Sequence, residues 1–350
     1  MLNVKLISKN GIDTAPLPGG MPQWDSVCFL LDPQARNYDW LVVVDDLPFN
    51  INHKWRLGRE HLACPQEHTI LLTYEPSAVK LYSAGYAAQF GLVLTSHEPD
   101  ALPHPNRIDM PPMGSWLYRG THDELCAAPT PPVKTRTIST LCSNKQMRHT
   151  WHNLRFHFTR RLQEALPEMD VYGRGINPID EKVDAIDPYR YHIAIENHIA
   201  PYHWTEKLAD AFLGCTLPFY AGCPNAADFF PEASFIPIDI TDFNGTLSTI
   251  RQVIDNNGYE KRLPAILEAR RRLLEEQNLF AMLAKIITKR HDNQASLSSR
   301  NASTRSGNII YGRRMIRMLN IPDTIRTFRT LYRRRQKQKK MSKLSYKAGQ

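Results

Sequence analysis

This sequence has little of what marks membrane-spanning, secreted or fibrous proteins. No apolar run in its 350 residues approaches the ~18–20 residues that a membrane-spanning helix needs, so no such helix is predicted. The first residues, MLNVKLISKNGID, lack the apolar stretch and cleavage site of a secretory signal, which predicts a cytoplasmic protein. With 42% apolar and 23% charged residues and only 17 glycines, the composition excludes the collagen-like and disordered classes. A chain of this length is typical of two ordinary domains.

Cysteine is present, but not in the arrangements that carry chemistry. The six cysteines form no C-x-x-C pair and no Cys/His group with zinc-ligand spacing, which excludes a disulfide scaffold and predicts no metal site. Several stand inside apolar runs such as SVCFLL, where a reduced cysteine is a small core residue. The sequence therefore predicts free thiols at Cys28, Cys64, Cys126, Cys142, Cys215 and Cys223.

The excess of positive charge is confined to one end of the chain. The sequence holds 44 Lys and Arg against 35 Asp and Glu, but residues 311–350 alone hold 13 basic residues and one acidic residue. This leaves 31 basic and 34 acidic residues elsewhere, a net charge of −3. We therefore expect a near-neutral globular body with a basic tail, and the pI indicates little about the ligand of the body.

The first part of the chain alternates short apolar runs with segments of helical length. Runs rich in Val, Ile and Leu at this spacing predict a parallel sheet covered on both faces. Acidic residues follow two of these runs, at Asp45-Asp46 and at Glu75, and ligands of such sheets bind beyond the carboxyl ends of the strands. We interpret Asp45-Asp46 as a solvated strand end with a helix cap, whereas the residue pattern alone leaves the role of Glu75 open. The predicted strands are VKLI (4–7), VCFLL (27–31), WLVVV (40–44), TILLTY (69–74) and GLVLTS (91–96).

A second α/β pattern follows a proline-rich connection, APTPPVKTR (128–136). TISTLCS (137–143) is predicted to be a strand, QMRHTWHNLRFHFTRRLQEAL (146–166) an amphipathic helix, and MDVYG (169–173) the next strand. This order is that of one right-handed crossover unit. It places the domain boundary at the proline-rich stretch.

Two cations stand at the predicted starts of helices in this second half. Arg148 lies in the first turn of the helix at 146–166, and Lys207 lies in the first turn of a helix that Thr205 can cap, beside Glu206. Cations there oppose the helix dipole, so they often face a bound anion, although solvent exposure is the commoner reason for one alone. Together the two would make a diphosphate cradle, and for Glu206 plain helix capping is the alternative.

The segment YRYHIAIENHIAPYHWTEKLADAFLGCTLPFYAG resembles the signature of the α1,3/1,4-fucosyltransferases, glycosyltransferase family ten. The matching residues are Tyr189-Arg190-Tyr191, Ile195-Glu196-Asn197, Thr205-Glu206-Lys207, residues 214–218 and Gly222. The clear match covers about residues 137–290, with a weaker resemblance back to about residue 69. The resemblance implies a GT-B fold, in which two Rossmann-like domains face a cleft, the second holds GDP-fucose and the first meets the acceptor.

The same resemblance implies roles for individual residues. Lys207 and Arg148 would bind the donor diphosphate, Glu206 the ribose hydroxyls, and Asn197 would line the same pocket. TYEP (73–76) is similar to the family's Thr-Gly-Glu-Asn turn, which assigns the catalytic base to Glu75. The family inverts the anomeric centre in one displacement, so one base and an electrostatic clamp suffice, and no metal or other cofactor is expected. The expected donor-binding residues are Arg148, Asn197, His203, Thr205, Glu206 and Lys207.

This chain departs from the family pattern at positions that bear on the donor and on the base. His203 stands where the family usually has a tyrosine, close to the guanine or sugar side, so the resemblance implies the fold more firmly than the donor. Tyr74 and Pro76 flank Glu75 where the family often has Gly and Asn. A capped strand end is therefore the alternative interpretation of Glu75.

The C-terminal part is expected to lie outside both domains. Residues 291–308 are rich in Ser and Asn, which predicts a flexible linker. Residues 309–350 combine many Arg and Lys with apolar residues at helical spacings, interrupted by Pro322, and a basic helix with an apolar face binds anionic membrane interfaces. A solvated, disordered tail is the alternative, and nucleic acid is a weaker partner because aromatic residues are few.

The sequence thus predicts a fucosyltransferase of five segments: an acceptor-side domain (1–128), a linker (129–136), a nucleotide-sugar domain (137–290), a second linker (291–308) and a basic tail (309–350). It would transfer fucose from GDP-fucose, in an inverting α1,3 reaction, to a saccharide of a surface glycan such as lipopolysaccharide. The tail would hold it on the inner face of the cytoplasmic membrane. The alternatives are a related transferase with another nucleotide sugar, and a non-catalytic protein of the same fold that associates with membrane or nucleic acid.

Overall fold

The computed structural model describes residues 1–48, 58–112, 116–128, 130–147, 150–297 and 309–348. The chain divides into two compact units, Met1–Met113 with Leu279–Arg333, and Gly114–Asn278 with Arg334–Gln350. Each unit is built on a largely parallel sheet. The predicted α/β class with two sheet-based units is confirmed.

Strands and helices alternate through most of the chain. In the described ranges the strands are β1 (Leu2–Ser8), β2 (Gln23–Trp24), β3 (Val27–Leu30), β4 (Trp40–Val44), β5 (Arg59–His61), β6 (Thr69–Leu72), β7 (Leu92–Thr95), β8 (Arg107–Asp109), β9 (Arg136–Leu141), β10 (Met169–Tyr172), β11 (Tyr189–Ile195), β12 (Leu217–Ala221), β13 (Ile236–Pro237) and β14 (Ile309–Tyr311). The helices are α1 (Ala84–Ala87), α2 (His122–Ala127), α3 (His152–Ala165), α4 (Glu206–Leu213), α5 (Phe243–Asp255), α6 (Gly258–Glu275), α7 (Leu279–Leu297), α8 (Arg313–Leu319) and α9 (Ile321–Ala348). No helix among the described residues is long and apolar enough to cross a bilayer.

The first unit holds a sheet in the order β2-β3-β1-β4-β6-β7-β8, parallel except between β2 and β3. All five strands predicted for this half lie in it. The residues of β4 alternate between its two faces: Trp40 and Val42 pack in a core with Phe280 of α7. Leu41 packs on the other face with Ile310 of β14. Both faces are thus covered, as continuous runs of Val, Ile and Leu require.

The second unit holds a parallel sheet in the order β10-β9-β11-β12-β13. On one face Ile193 of β11 shares a core with Phe158 of α3 and Ile250 of α5. On the other face Ala194 shares a core with Phe212 of α4. Because β10 and β11 lie on opposite sides of β9, the strand order reverses between β9 and β11. A crevice beyond the carboxyl ends of these two strands is where ligands of such sheets bind.

The helix predicted over 146–166 begins only at His152. The residues before it are held by tertiary hydrogen bonds: Asn144 N donates to the Arg174 carbonyl at 3.1 Å, and Trp151 N donates to the Asn197 carbonyl at 3.0 Å. Because Trp151 N bonds Asn197 rather than the carbonyl four residues before it, an α-helix that extends back to residue 146 is interrupted here. Arg148 lies outside the described residues.

The C-terminal segment departs from the predicted linker and tail. α7 continues through residues 291–297, so this part of the predicted linker is helical, and residues 298–308 lie outside the described residues. β14 pairs antiparallel with β5, and Ile310 is buried in the core of the first unit. The first residues of the predicted tail are therefore part of a folded unit. The break expected at Pro322 is present, because α8 ends at Leu319 and α9 begins at Ile321.

The compact units also divide the chain differently from the predicted domains. Trp116 and Leu125, placed in the first domain by the prediction, pack in the α4 core of the second unit. α7, assigned in part to the second domain, packs on the first sheet, where the rings of Phe280 and Phe29 lie 5.1 Å apart. The proline-rich stretch was a misleading boundary because apolar residues on both sides of it share one core.

Candidate functional site

A cavity of about 240 Å³ lies in the second unit, beyond the carboxyl ends of β9 and β11. It occupies the point where the strand order reverses, and is closed by the loop after β10 and by the start of α4. Its position is that of ligand sites in open α/β sheets. The charged and amide side chains that line it are Arg155, Lys182, Asn197, Glu206, Lys207 and Asp210.

A buried carboxylate fixes the start of α4 against the end of β11. Glu196 is only 1% exposed and directly follows β11. Its Oε1 accepts a hydrogen bond from Thr205 N at 2.9 Å, and its Oε2 accepts one from Thr205 Oγ1 at 2.7 Å. Thr205 is the N-cap of α4, and its Oγ1 also accepts from Lys207 N at 3.4 Å. Thr205 therefore links the first turn of α4 to the end of β11 without itself lining the cavity.

Lys207 lies between two carboxylates. Its Nζ is 2.8 Å from Glu206 Oε1 and 3.4 Å from Glu196 Oε2. Burial disfavours its charge, but the two carboxylates outweigh burial and raise the pKa of Lys207. Burial also opposes ionisation of Glu206, yet Lys207 and Lys182 lower the pKa of Glu206 to about 2. Glu196 is the partner whose pKa is raised, because its burial outweighs the attraction of Lys207.

Arg155 lies in the first turn of α3 and lines the same cavity. Its Nη1 donates to Asn197 Oδ1 at 3.0 Å, and its Nη2 donates to the Leu141 carbonyl at the end of β9. The guanidinium therefore spans the two strand ends that border the cavity. A helix that begins at 146 places Arg155 in its third turn, so no sequence pattern indicated a ligand-binding role for this residue. In the helix as it stands, Arg155 is a cation in a first turn, a position that often faces a bound anion.

A second ion pair borders the cavity at the next turn of α4. Lys182 Nζ lies 2.6 Å from Asp210 Oδ2, and Asp210 Oδ1 accepts a hydrogen bond from Leu117 N at 2.8 Å. Burial raises the pKa of Asp210 to about 6, although Lys182 opposes that shift. Lys182 belongs to a short 3₁₀ turn, Lys182–Ala185, in the loop between β10 and β11. Lys182 carries no sequence signal, since its loop has no periodic pattern, and Asp210 lies within α4 rather than in its first turn.

His192 of β11 lines the inner part of the cavity as a neutral imidazole. It is 3% exposed, and its Nδ1 lies 2.9 Å from Ser139 Oγ on β9. Burial, aided by the cations Lys182 and Arg155, lowers the pKa of His192 to about 3. The ring is therefore uncharged at neutral pH and adds a polar contact between strands without adding to the positive charge of the cavity.

The structure brings three of the predicted donor-site residues together at the cavity: Asn197, Glu206 and Lys207. Thr205 supports them through its cap. His203 lies outside the cavity lining; it is 4% exposed, with its ring 5.2 Å from that of His198. Arg148, as noted, is outside the described residues.

Glu75 belongs to the first unit, three residues beyond the end of β6. Its side chain is partly exposed, and its backbone carbonyl lies 2.8 Å from Nε2 of the buried His97 ring at the end of β7. The segment that carries Glu75 is therefore anchored at the carboxyl edge of the first sheet. That edge is where catalytic groups of parallel sheets are found.

The strand end at Asp45-Asp46 is buried rather than solvated. Asp45 has φ +70° and bonds Lys80 and Tyr82 through its carboxylate. Burial opposes its charge, but these two hydrogen bonds lower the pKa of Asp45. Asp46 Oδ1 accepts from Arg313 N at 3.0 Å. The expectation of a solvated strand end is wrong, because the C-terminal segment covers this edge of the first unit.

Among the described residues, no group of three His, Cys, Asp or Glu side chains is placed to hold a metal ion. The basic side chains that line the cavity are Arg155, Lys182 and Lys207.

Comparison with solved structures finds glycosyltransferases at low sequence identity. The chain is similar to an α1,3-fucosyltransferase (17% identity, 80% of this chain and 92% of that chain, TM-score 0.45) and to the structure described as α1,3-fucosyltransferase with GDP-fucose (17%, 80% and 92%, TM-score 0.46). It is also similar to an α-glucosyltransferase in complex with UDP-glucose and DNA containing an abasic site (8%, 82% and 99%, TM-score 0.44).

Comparison with protein families is more specific. Residues 131–260 match the model of the glycosyltransferase family 10 (fucosyltransferase) C-terminal domain. This range contains every residue that lines the cavity, from Leu141 to Asp210. Residues 131–260 of the chain therefore resemble the C-terminal domain of glycosyltransferase family 10, and this match supports a glycosyltransferase.

Proposed function

We propose that this protein transfers fucose from GDP-fucose to a saccharide hydroxyl, in an inverting α1,3-type reaction, on a surface glycan such as lipopolysaccharide. The observation that carries the proposal is the cavity at the β9/β11 reversal, within the family 10 domain, where Arg155 and Lys207 lie together. Cations at the strand ends of such a sheet suit a nucleotide diphosphate.

The departing GDP gains negative charge as the bond to the sugar breaks, and the cavity can stabilise that charge. Lys207 is kept protonated by Glu196 and Glu206, and Arg155 offers a planar guanidinium already oriented by Asn197. Charged donors fixed before the reaction need no reorganisation during it. This is the basis on which we propose a reaction without a metal cofactor.

Glu206 and Asn197 are proposed to bind the nucleoside part of the donor. Because the pKa of Glu206 is about 2, its carboxylate is ionised at neutral pH and can accept hydrogen bonds from ribose hydroxyls. The amide oxygen of Asn197 accepts from Arg155, and its NH₂ group is proposed to donate to the nucleoside. His203, outside the lining, is proposed to act only through packing.

Glu75 is proposed as the base. Its carboxylate would take the proton of the acceptor hydroxyl while the oxygen forms a bond to the anomeric carbon. The bond from that carbon to the phosphate oxygen breaks at the same time, and its electron pair leaves with GDP. A single displacement of this kind inverts the anomeric centre and uses no covalent enzyme intermediate.

The C-terminal helix is proposed to bind an anionic membrane surface, as expected for an acceptor on a lipid-linked glycan. Apolar side chains recur on α9 at i, i+4, i+7 and i+11 and are well exposed: Ile321 61%, Ile325 46%, Phe328 53% and Tyr332 64%. Arginines lie between them in the sequence. An apolar stripe among cations is the pattern of helices that lie in membrane interfaces.

The test is calorimetric titration of the protein with GDP, UDP and CDP in EDTA, followed by transfer from GDP-fucose to saccharide acceptors. We expect selective binding of GDP, weakened at least about tenfold in Arg155→Ala and Lys207→Ala because each removes a charge-assisted contact. Lys261→Ala, an exposed lysine on α6, is the control and should bind as the wild type does. Preferred binding of UDP or CDP would contradict the donor assignment.

The same assay separates binding from chemistry. Glu75→Gln should keep its affinity for GDP and lose about 10²–10⁴-fold in transfer rate, the usual contribution of a general base. Undiminished transfer by Glu75→Gln would remove Glu75 from the mechanism and leave the donor site as proposed.

A further inference from the structure

Among the described residues, Lys182 is the cation of the cavity with the fewest bonds to other side chains and to the backbone. Its side chain is 27% exposed and lines the cavity, whereas that of its partner Asp210 is 2% exposed. An ammonium group has three N–H donors. Within the described part of the chain, Lys182 Nζ donates to Asp210 alone, so two of its donors are left for a ligand.

The other cations of the cavity are more fully engaged. Lys207 Nζ contacts Thr205, Glu206 and Glu196, so two carboxylates already balance its single charge. Arg155 donates to Asn197 and to the Leu141 carbonyl. A nucleoside diphosphate carries more than one negative charge, and it would find much of the charge of Lys207 already compensated. A further cation at the cavity wall would balance the remaining negative charge of the diphosphate.

The position of Lys182 is fixed by a carboxylate that is itself held in place. Asp210 lies in α4 one turn after Glu206, and Leu117 N donates to it at 2.8 Å. It therefore anchors the ammonium group beside the cavity while the flexible lysine stem allows the group to turn. A compact ammonium ion of this kind suits a phosphate oxygen, which it approaches as a point charge.

From this geometry we propose that Lys182 is a further donor-binding residue whose ammonium group contacts the diphosphate, with Asp210 as its positioning residue. The inference rests on the proposed function of the cavity as a nucleotide-sugar site. Lys182 would thus be a diphosphate-binding residue on the β10–β11 loop, whereas Arg155 and Lys207 lie in the first turns of helices.

The experiment is calorimetric titration of the wild-type protein and of Lys182→Gln with GDP, guanosine and inorganic pyrophosphate. Loss of the contact should weaken GDP and pyrophosphate about 10- to 100-fold and leave guanosine unchanged. Lys182→Arg should restore part of the affinity, since it keeps the charge. Lys261→Gln makes the same change at an exposed site of the same unit and should have no effect.

The outcomes separate this inference from the proposed donor. If folded Lys182→Gln binds GDP and pyrophosphate like the wild type, or loses guanosine equally, Lys182 does not contact the diphosphate. If the wild type prefers another nucleotide but loses pyrophosphate in Lys182→Gln, the donor is wrong and the role of Lys182 stands. Binding of no phosphate ligand at all would overturn both. Should Lys182→Gln not fold, the double variant with Asp210→Asn removes both charges and leaves no unpaired buried carboxylate.

Discussion

Lys207 can keep its charge in a partly buried position because one carboxylate is its neighbour in sequence and the fold brings a second one close to it. Glu206 is adjacent in sequence, and Glu196 is brought within 3.4 Å by its hydrogen bonds to the cap residue Thr205. Breaking such a set by removing one partner leaves an uncompensated buried charge, which is more costly than never having the pair. The Thr-Glu-Lys sequence and the glutamate before Asn197 therefore act as one unit, in which capping, charge and position depend on each other.

The buried imidazole of His192 gives the fold a dependence on pH that one variant can isolate. Its pKa in the folded state is about 3, below the ordinary 6.5, so its contribution to stability is present above about pH 6.5. That contribution is lost as the pH falls from 6.5 towards 3, by at most about 1.4 kcal/mol per pH unit. His192→Asn, which can still bond Ser139, should lack this part of the loss when unfolding free energies are compared between pH 7 and pH 5.

Asp210 is the matched comparison because its shift has the opposite sign. Its folded pKa of about 6 lies above the ordinary 3.8, so its contribution to stability is lost as the pH rises through 6 and is recovered as the pH falls from 6 to 3.8. In Asp210→Asn the free energy of unfolding should therefore fall more steeply with acid than in the wild type.

For the His192 prediction, equal pH dependence of the unfolding free energy in the wild type and in His192→Asn would show that the imidazole is not held neutral by burial.

The site residues that the sequence predicted and those that it did not differ in whether local or distant contacts determine their positions. Glu206 and Lys207 follow a capping residue, so their place in a first turn depends only on local chemistry. Arg155 depends on where α3 begins, and that boundary is set by tertiary hydrogen bonds such as Trp151 N to the Asn197 carbonyl. Lys182 depends on the path of a loop. Local rules predict the first kind of residue, and contacts distant in sequence decide the others.

At the scale of elements, apolar runs predicted the sheets well because a buried strand needs little more than Val, Ile and Leu in sequence. The five strands predicted in the first unit correspond to β1, β3, β4, β6 and β7, and the two predicted around the 146–166 helix correspond to β9 and β10. The C-terminal elements were harder, since β14 is only three residues long and exists by pairing with β5. A basic and apolar composition predicted one amphipathic tail, where the structure has a strand, a short helix and a long helix.

The long helix α9 yields a prediction about surfaces. Ile325→Ser with Phe328→Ser should weaken binding to phosphatidylglycerol-containing vesicles by at least about tenfold, since each apolar side chain buried is worth roughly 1.5–3 kcal/mol. Binding of the wild type should also fall with salt, because the arginines are attracted to anionic lipid. Co-sedimentation with vesicles measures both effects.

The control for that surface is an exposed apolar residue elsewhere. Met21 is 64% exposed and lies in the first unit, so Met21→Ser should bind vesicles as the wild type does. Equal binding of wild type and the double variant would show that the stripe on α9 is not a membrane face. Salt-sensitive binding to RNA without binding to vesicles would instead favour the nucleic-acid alternative.

At the scale of the whole molecule, the first unit is discontinuous in sequence. Its sheet comes from the start of the chain, but α7 and β14 come from beyond residue 278 and cover its two faces. Arg313 strengthens this closure, since its guanidinium donates to the Leu81 carbonyl at 2.7 Å and lies 4.7 Å from the centre of the Tyr82 ring. No local pattern in the sequence indicates that the chain packs again on the first sheet after residue 278. The predicted boundaries therefore differ from the observed units.

This closure predicts that the stability of the first unit depends on residues that composition assigns to a tail. Ile310 is 1% exposed and packs among Leu41, Val43 and Tyr86, so Ile310→Ala should cost about 2–5 kcal/mol of unfolding free energy. Ile321→Ala makes the same change at a site that is 61% exposed and should stay within about 0.5 kcal/mol of the wild type. Urea unfolding followed by tryptophan fluorescence measures the difference. Equal stability of the two variants would mean that the C-terminal strand is not part of the core, and that the chain ends as the composition alone suggests, in a segment independent of the fold.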